Sequence, residues 1–368
     1  MLKYIYRNQL QTTFFSRICV ILNIVILMIF CEVQPHAGTV TGVIYNDSNQ
    51  NNTLDIKEQV LPNIVVSDGK NFAVTDKNGK FTIDGIDGNN IIYVSCPDGF
   101  WYQDSFYRKV FVPKDSSISV NWGLIKQEQK LPFYFAQFSD LHLFEENVWF
   151  AEQFIERINS MKPAVSFVVG TGDIILDALN VSDPKVIDQR YQRYIDLFSR
   201  LQIPLFSLPG NHEHAGWGKW GIPANNPLYG LGAYKKYLGP PWYSFNYAGY
   251  HLVMIDAHIK TPDNDWGYKD WVSDDVTVWL KKDLNYISSS KPIILFLHPY
   301  PDRSWEIASL LESYNLKGSF FGHGHEYTKF KFTGSSFAYE SPDLGSTWGG
   351  DIHGYLLCRA TDNGIEVL

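Results

Sequence analysis

Five apolar, strand-like runs in this chain each end in residues that bind metals, and no other feature restricts the fold as much. They are Phe135-Ala-Gln-Phe-Ser-Asp140-Leu-His142, Phe167-Val-Val-Gly-Thr-Gly172-Asp173, Leu205-Phe-Ser-Leu-Pro-Gly210-Asn211-His212-Glu213, Ile293-Ile-Leu-Phe-Leu-His298 and Phe320-Phe-Gly322-His323-Gly-His325. Between the apolar runs, Trp149–Met161, Val186–Leu201, Val272–Ile287 and Arg303–Tyr314 carry helical spacing. Val186, Tyr194, Ile195, Leu197, Phe198 and Leu201, for example, share one face. Strands alternating with helices imply an α/β domain whose strands are buried and largely parallel. The carboxyl ends of such strands gather on one rim, so these side chains are expected to converge there.

The residue types specify the chemistry. Carboxylate, imidazole and amide oxygen without thiolate suit Mn, Fe or Zn in five- or six-coordination. Spacing of i, i+2 in a loop lets Asp140 and His142, and likewise His323 and His325, reach one centre. Glycines 172, 210, 322 and 324 are expected to permit close backbone approach and positive φ.

The order D-x-H, G-D, G-N-H-E, H, G-H-x-H resembles the calcineurin-like metallophosphoesterase superfamily, over about residues 131 to 368. The resemblance implies a two-sheet αββα sandwich; strand–helix alternation alone supports only a generic α/β core. It implies one divalent cation held by Asp140, His142, Asp173 and His325, and a second held by Asp173, Asn211, His298 and His323, with Asp173 bridging. A hydroxide between the two metals would attack phosphorus in line, with no phospho-enzyme. His212 is not a ligand in that family; it would stabilise the transition state or protonate the leaving oxygen, and Glu213 would orient it. In plant-type purple acid phosphatases a Tyr ligand stands three residues after the bridging Asp. Here that position is Leu176, so the motif set looks more like the phosphodiesterase branches. The expected reaction is therefore phosphodiester hydrolysis on a small phosphorylated substrate. A phosphomonoesterase or pyrophosphatase on the same site is the alternative, and a cell-surface binding module with a structural metal site is the alternative from another class.

Asp177, Glu145 and His214 adjoin the motifs without ligand spacing, and supporting or solvent-exposed roles are expected for them. Asp256 and His258 end a further apolar run near the same rim, as a polar lining or as a simple strand terminus. The stretch Trp217–Tyr250 holds nine Trp and Tyr residues, which would form either an aromatic wall beside the metals or rings packed onto the domain. Trp348 would reach the same cleft or serve packing.

The 368 residues leave room for two or three domains. From Gly38 to Ile125 short β-type runs (Thr39–Tyr45, Asn63–Val66, Phe72–Thr75, Lys80–Ile83, Ile91–Val94) are separated by Asp/Asn/Gly turns, which predicts a small all-β sandwich domain. Residues 126–132 read as a linker, and 133–368 as the α/β domain. Within the sandwich, Asp47, Asn49, Asn51, Thr53, Asp55 and Glu58 place oxygen donors at loop positions 1, 3, 5, 7, 9 and 12, with Asn52 at the sharp turn. That spacing fits a Ca²⁺ loop or an ordinary Asx-rich turn; without flanking helices it is no EF-hand, and it resembles the calcium loop of bacterial surface β-sandwich repeats. A β-sandwich ahead of a phosphoesterase domain resembles exported bacterial calcineurin-like proteins.

Net charge is −8 with no Lys/Arg run, which argues against a nucleic-acid partner. Residues 1–37 carry Lys3, Arg7 and Arg17 ahead of a 13-residue apolar stretch, Ile18–Phe30. This is short of a bilayer span and predicts a signal peptide or N-terminal anchor, hence export, with membrane contact only through that segment if it is retained. Cleavage is expected after Ala37, with Cys31 as an alternative lipid acceptor. Cys96 and Cys358 are expected to be buried thiols, with a bridge as the alternative.

Overall fold

The computed structural model describes residues 37–86, 88–346 and 352–368. Positions 1–36 of the expected targeting segment, with Cys19 and Cys31, and Trp348 lie outside the described residues. Among the described residues no helix is long and apolar enough to cross a membrane.

The N-terminal part folds as β1 (Gly38–Asn46), β2 (Val65–Ser67), β3 (Phe72–Val74), β4 (Lys80–Ile86), β5 (Gly88–Ser95), β6 (Phe100–Tyr102), β7 (Tyr107–Val112), β8 (Ser117–Ser119) and β9 (Trp122–Lys126). One sheet has the order β4-β1-β9-β6 with β8 on β1, and the other β3-β2-β5-β7. Alternation along β1 buries Val40 and Ile44. They share a core with Phe81 and Ile83 of the same sheet and Val66, Ile92, Val94 and Val112 of the other. The five expected strands correspond to β1–β5. The other four escape pattern reading because they are short or aromatic rather than alternating.

The second part begins at β10 (Phe133–Phe138). It continues through α1 (Val148–Ser160), β11 (Phe167–Thr171), α2 (Pro184–Phe198), β12 (Leu205–Leu208), α3 (Gly232–Tyr237), β13 (Tyr243–Tyr247), β14 (Tyr250–Met254), β15 (His258–Lys260) and β16 (Tyr268–Asp270). Then come α4 (Asp274–Leu284), β17 (Pro292–Phe296), α5 (Glu306–Glu312), β18 (Asn315–Phe321), β19 (Lys329–Lys331), β20 (Phe337–Glu340), β21 (Leu356–Thr361) and β22 (Gly364–Val367). The long helices begin where local chemistry favours it. The Asp183 carboxylate accepts the Lys185 N–H ahead of Pro184, and the Ser273 hydroxyl accepts the Val276 N–H.

Two large sheets result, ordered β12-β11-β10-β21-β22 and β13-β14-β17-β18-β20-β19, beside the antiparallel β15-β16 hairpin. The motif-bearing strands β10, β11 and β12, and β17 and β18, are parallel to their motif-bearing neighbours, as expected. Period-2 alternation makes the sandwich: Phe135 meets Phe296 and Phe320 across the sheets at 5.8 and 5.3 Å, and Phe206 meets Phe245 at 4.3 Å. The opposite face of β10 turns Phe138 onto Phe154 of α1 and Phe198 of α2. In the second sheet's core cluster, α4 and α5 bury Trp279, Leu280, Ile307 and Leu311. This is the αββα sandwich that the resemblance implied.

The two parts do not sit apart on a linker; one apolar cluster runs through both. Trp101 of β6 lies 5.8 Å from Phe245, 5.9 Å from Phe206 and 5.1 Å from Tyr247. The Trp279 indole N–H donates to the Tyr93 hydroxyl at 2.8 Å, and the Asn246 N–H donates to the Cys96 carbonyl at 2.8 Å. Thermal unfolding of the whole chain is therefore expected to show one cooperative transition, and Trp101→Ala to lower stability by about 3 kcal/mol. Two resolved calorimetric transitions would contradict this. Cys96 and Cys358 are both buried free thiols.

Candidate metal centre

The five predicted loops meet on one rim. Three groups of side chains bring ligand atoms within 4.8 Å of one another: Asp140 with His142 and His325, His142 with Asp173 and His212, and Asp173 with His298 and His323. Asp173 belongs to two of them, the position expected of a bridging carboxylate. Distances are short: His325 Nε2 to Asp140 Oδ1 3.3 Å, His142 Nε2 to Asp173 Oδ2 3.7 Å, His298 Nε2 to Asp173 Oδ2 3.1 Å.

The backbone reaches this convergence in an unexpected way. Asp140, His142, Asp173, His323 and His325 themselves adopt left-handed φ of 53°, 44°, 50°, 76° and 62°. Such values cost of order 1 kcal/mol or more in a non-glycine residue and cluster at functional sites. Of the glycines expected to supply positive φ, Gly172 does so at 92°, whereas Gly210 has φ of −98°. Gly210 and Gly322 serve close approach instead. A Cβ would fall 2.2 Å from Asp173 Oδ1 at Gly210, and 1.9 Å from Ser139 Oγ at Gly322.

The donor set fits divalent cations. Asp140 Oδ1 and Asn211 Oδ1 are buried without a hydrogen-bond partner, and a cation would answer both oxygens. His298 Nδ1 lies 2.7 Å from the Thr171 carbonyl, so that nitrogen carries the proton and Nε2 is turned to the centre, 3.2 Å from His323 Nδ1. Burial raises the Asp140 carboxyl, but His298 and His325 outweigh it and bring it down to about 2. Burial pushes His142 down to about 4, leaving it a neutral ligand.

Glu213 is not placed as expected. Its buried carboxylate accepts N–H groups of Gly210, Asp173, Ile174 and Ile175 at 2.7 to 3.2 Å, tying the loop after β12 to the loop after β11. The His212 ring is held instead by Asp177, whose Oδ1 lies 3.1 Å from Nδ1, while Nε2 is turned toward Asp173 Oδ2 at 4.0 Å. Nothing in the spacing marked Asp177, because the pairing is created by α2 and its preceding loop. Burial opposes charge on His212, but Asp173 and Asp177 outweigh it and raise the imidazole to about 9. A group raised in this way donates its proton below that value and loses the ability above it. Asp177→Asn is thus expected to move the alkaline limb of the kcat profile to lower pH, read from turnover between pH 6 and 10.

A cleft of about 450 Å³ opens here, lined by His142, Asp173, Asn211, His212, His323 and His325 together with Trp266, Tyr268 and Glu326. The last three were missed by sequence reading; Trp266 and Tyr268 ride on the β15–β16 hairpin, which carries no motif. The stretch 217–250 does not supply this wall. Tyr234, Tyr243 and Tyr250 are buried core residues, and Trp217 covers His214 at 4.0 Å.

In the N-terminal loop the expected oxygen donors accept hydrogen bonds from the loop itself. Asp47 is fully buried and accepts the N–H groups of Asn51 and Asn52, Asp55 accepts from the amides of Asn49 and Asn51, and Glu58 accepts from Ser48 and Asp55. Thr53 donates its N–H to the Asn51 side chain, and Asn52 takes the left-handed turn at φ 57°.

Comparison with known proteins gives two family matches. The family model described as calcineurin-like phosphoesterase covers residues 133–327, and that described as N terminal of calcineurin-like phosphoesterase covers 48–121. A probable glycerophosphodiester phosphodiesterase GpdQ of Arcobacter nitrofigilis is 26% identical over 151 residues, 40% of this chain and 46% of the relative, so less than half of the relative is matched. Among solved structures, a dimetal phosphatase of Danio rerio aligns with TM-score 0.49 and 13% identity over 64% of this chain and 98% of its own. Protein TT1561 of Thermus thermophilus aligns with TM-score 0.39 and 12% identity over 64% and 98%.

Proposed function

The chain belongs to the calcineurin-like phosphoesterase family; from that premise we propose that it is a metal-dependent phosphoester hydrolase that cleaves a small phosphodiester in preference to a monoester. The observation that carries the reading is the convergence of Asp140, His142, Asp173, Asn211, His298, His323 and His325, with buried oxygens of Asp140 and Asn211 left for a cation. We assign Asp140, His142, Asp173 and His325 to one metal and Asp173, Asn211, His298 and His323 to the other. When bound, two divalent cations supply Lewis acidity toward the phosphoryl oxygens and lower the pKa of an attacking water.

The chain's own residues do the rest. Asp173 spans the two ligand groups and accepts the His212 N–H at 2.9 Å, which sets the His212 loop against the centre. His212, protonated and held by Asp177, faces the cleft and donates a proton to the leaving oxygen. Preference for a diester has an electrostatic basis. No Lys or Arg lines the described cleft, and Glu326 does. A phosphomonoester dianion would bring one more negative charge to that wall than a diester monoanion. The match to a probable glycerophosphodiester phosphodiesterase supports the same reading. With metal-loaded protein, kcat/KM for bis-p-nitrophenyl phosphate is expected to exceed that for p-nitrophenyl phosphate by about tenfold or more, a gap of ~1.4 kcal/mol. The reverse order would overturn the diester assignment. Export, Ca²⁺ binding by the Asp47–Glu58 loop, and the choice among Mn, Fe and Zn remain parts of this proposal.

A further inference from the structure

Beside the rim lies a second cluster that shares no residue with the assigned metal ligands. His214, Asp256 and His258 are all buried, with ligand atoms within 4.8 Å of one another. His214 follows the Asn211–Glu213 turn, Asp256 follows β14, and His258 opens the β15–β16 hairpin.

The hydrogen-bond geometry of this cluster does not close on its own. His214 Nδ1 lies 2.9 Å from the Gly210 carbonyl, which can only accept, so Nδ1 carries the proton. In the neutral ring Nε2 then presents a lone pair to Asp256 Oδ2 at 3.2 Å, acceptor against acceptor. An imidazolium at His214 would relieve that contact, yet it would leave His258 unanswered. Both ring nitrogens of His258 are buried and make no hydrogen bond. Carboxylates stand near both, Asp256 Oδ1 at 3.4 Å from Nδ1 and Asp270 Oδ1 at 3.6 Å from Nε2. A buried imidazole without a hydrogen bond is costly, and a cation set between His214 Nε2, His258 Nδ1 and the Asp256 carboxylate would answer all three side chains together. With bonds of ~2.0–2.1 Å, ligand atoms of a tetrahedral Zn²⁺-type site lie about 3.3 Å apart. The observed nitrogen–oxygen separations are close to that edge, 3.2 Å from His214 Nε2 to Asp256 Oδ2 and 3.4 Å from His258 Nδ1 to the other oxygen, Oδ1.

We propose that His214, Asp256 and His258 form a third cation site, of N/O ligation and Zn²⁺-type preference, separate from the pair of sites on the rim. Its place indicates its use. It joins the loop carrying Asn211 and His212 to the hairpin carrying Trp266 and Tyr268, and so sets the cleft wall against the reacting centre. Its positive charge also sits close to the second metal, since the His258 ring is 5.5 Å from that of His298.

The test is a metal count on the whole chain. Protein stripped with chelator is reloaded with Zn²⁺ or Co²⁺ in excess Ca²⁺, which occupies any all-oxygen loop, and is then freed of unbound metal. Elemental analysis is expected to return three equivalents for the wild type and two for His258→Ala and His214→Gln. The lost Co²⁺ equivalent takes its visible absorption with it. Melting curves identify which variants are folded and therefore counted. A count that does not fall by one equivalent in folded His258→Ala or His214→Gln overturns the proposal, whatever the wild-type total. Failure of the rim reading looks different: Asp173→Asn would then keep the full wild-type count.

Discussion

Asp173→Asn is expected to lose metal and activity together, with kcat falling by ~10³-fold or more and elemental analysis showing the rim sites depleted. Three observations make this the most damaging change. Asp173 lies in two of the ligand groups, so a neutral amide there weakens both. Its Oδ2 faces His298 at 3.1 Å and His142 at 3.7 Å, and His298 and His212 hold its carboxyl well below the usual carboxylate range against the opposing effect of burial. Its Oδ1 accepts the His212 N–H, so an amide NH₂ turned that way would also displace the His212 loop. Losing the Lewis acid alone removes several kcal/mol of transition-state stabilisation, and each 1.36 kcal/mol is tenfold in rate. A variant that keeps both rim metals would refute the bridging role.

His212→Asn should separate chemistry from metal binding. The metal count is expected to stay unchanged while kcat falls by ~10²–10⁴, the usual worth of a positioned general acid. The alkaline limb that Asp177→Asn merely shifts should disappear. The loss should be smaller for a substrate whose leaving group is acidic enough to depart unprotonated, so p-nitrophenol esters and alkyl esters are to be compared side by side. Equal losses for both ester types would place His212 in transition-state stabilisation rather than in proton donation. Loss of metal equal to that in Asp173→Asn would refute the division of labour.

These two predictions rest on residues that sequence alone brings forward. Asp140, His142, Asp173, Asn211, His298, His323 and His325 were legible because each follows an apolar run at a spacing that only a strand-end loop explains. Glu213 was legible as the motif neighbour of His212 in sequence, yet adjacency misassigned it. Successive residues in a tight turn point to different sides, and the Glu213 carboxylate is consumed by four backbone N–H groups. Asp177 took over its expected role through a contact across 35 positions that no spacing rule contains. Trp266 and Tyr268 were passed over for the same reason: the aromatic-rich stretch 217–250 was the more visible signal, but most of its rings serve the core.

Local chemistry thus determined the elements, the order of the sheets' motif loops and the identities of the candidate metal ligands, since periodicity and strand-end spacing are properties of neighbouring residues. Only the tertiary structure decided which side chain orients His212, which aromatics wall the cleft, that five candidate ligand positions take left-handed φ while Gly210 does not, and that the two halves share one core. Those outcomes depend on packing between segments far apart in the chain, where Trp101 meets Phe206 and Phe245 and where β15–β16 folds over the rim. Contacts of that kind are set by shape and burial in three dimensions, and a one-dimensional pattern carries no record of them.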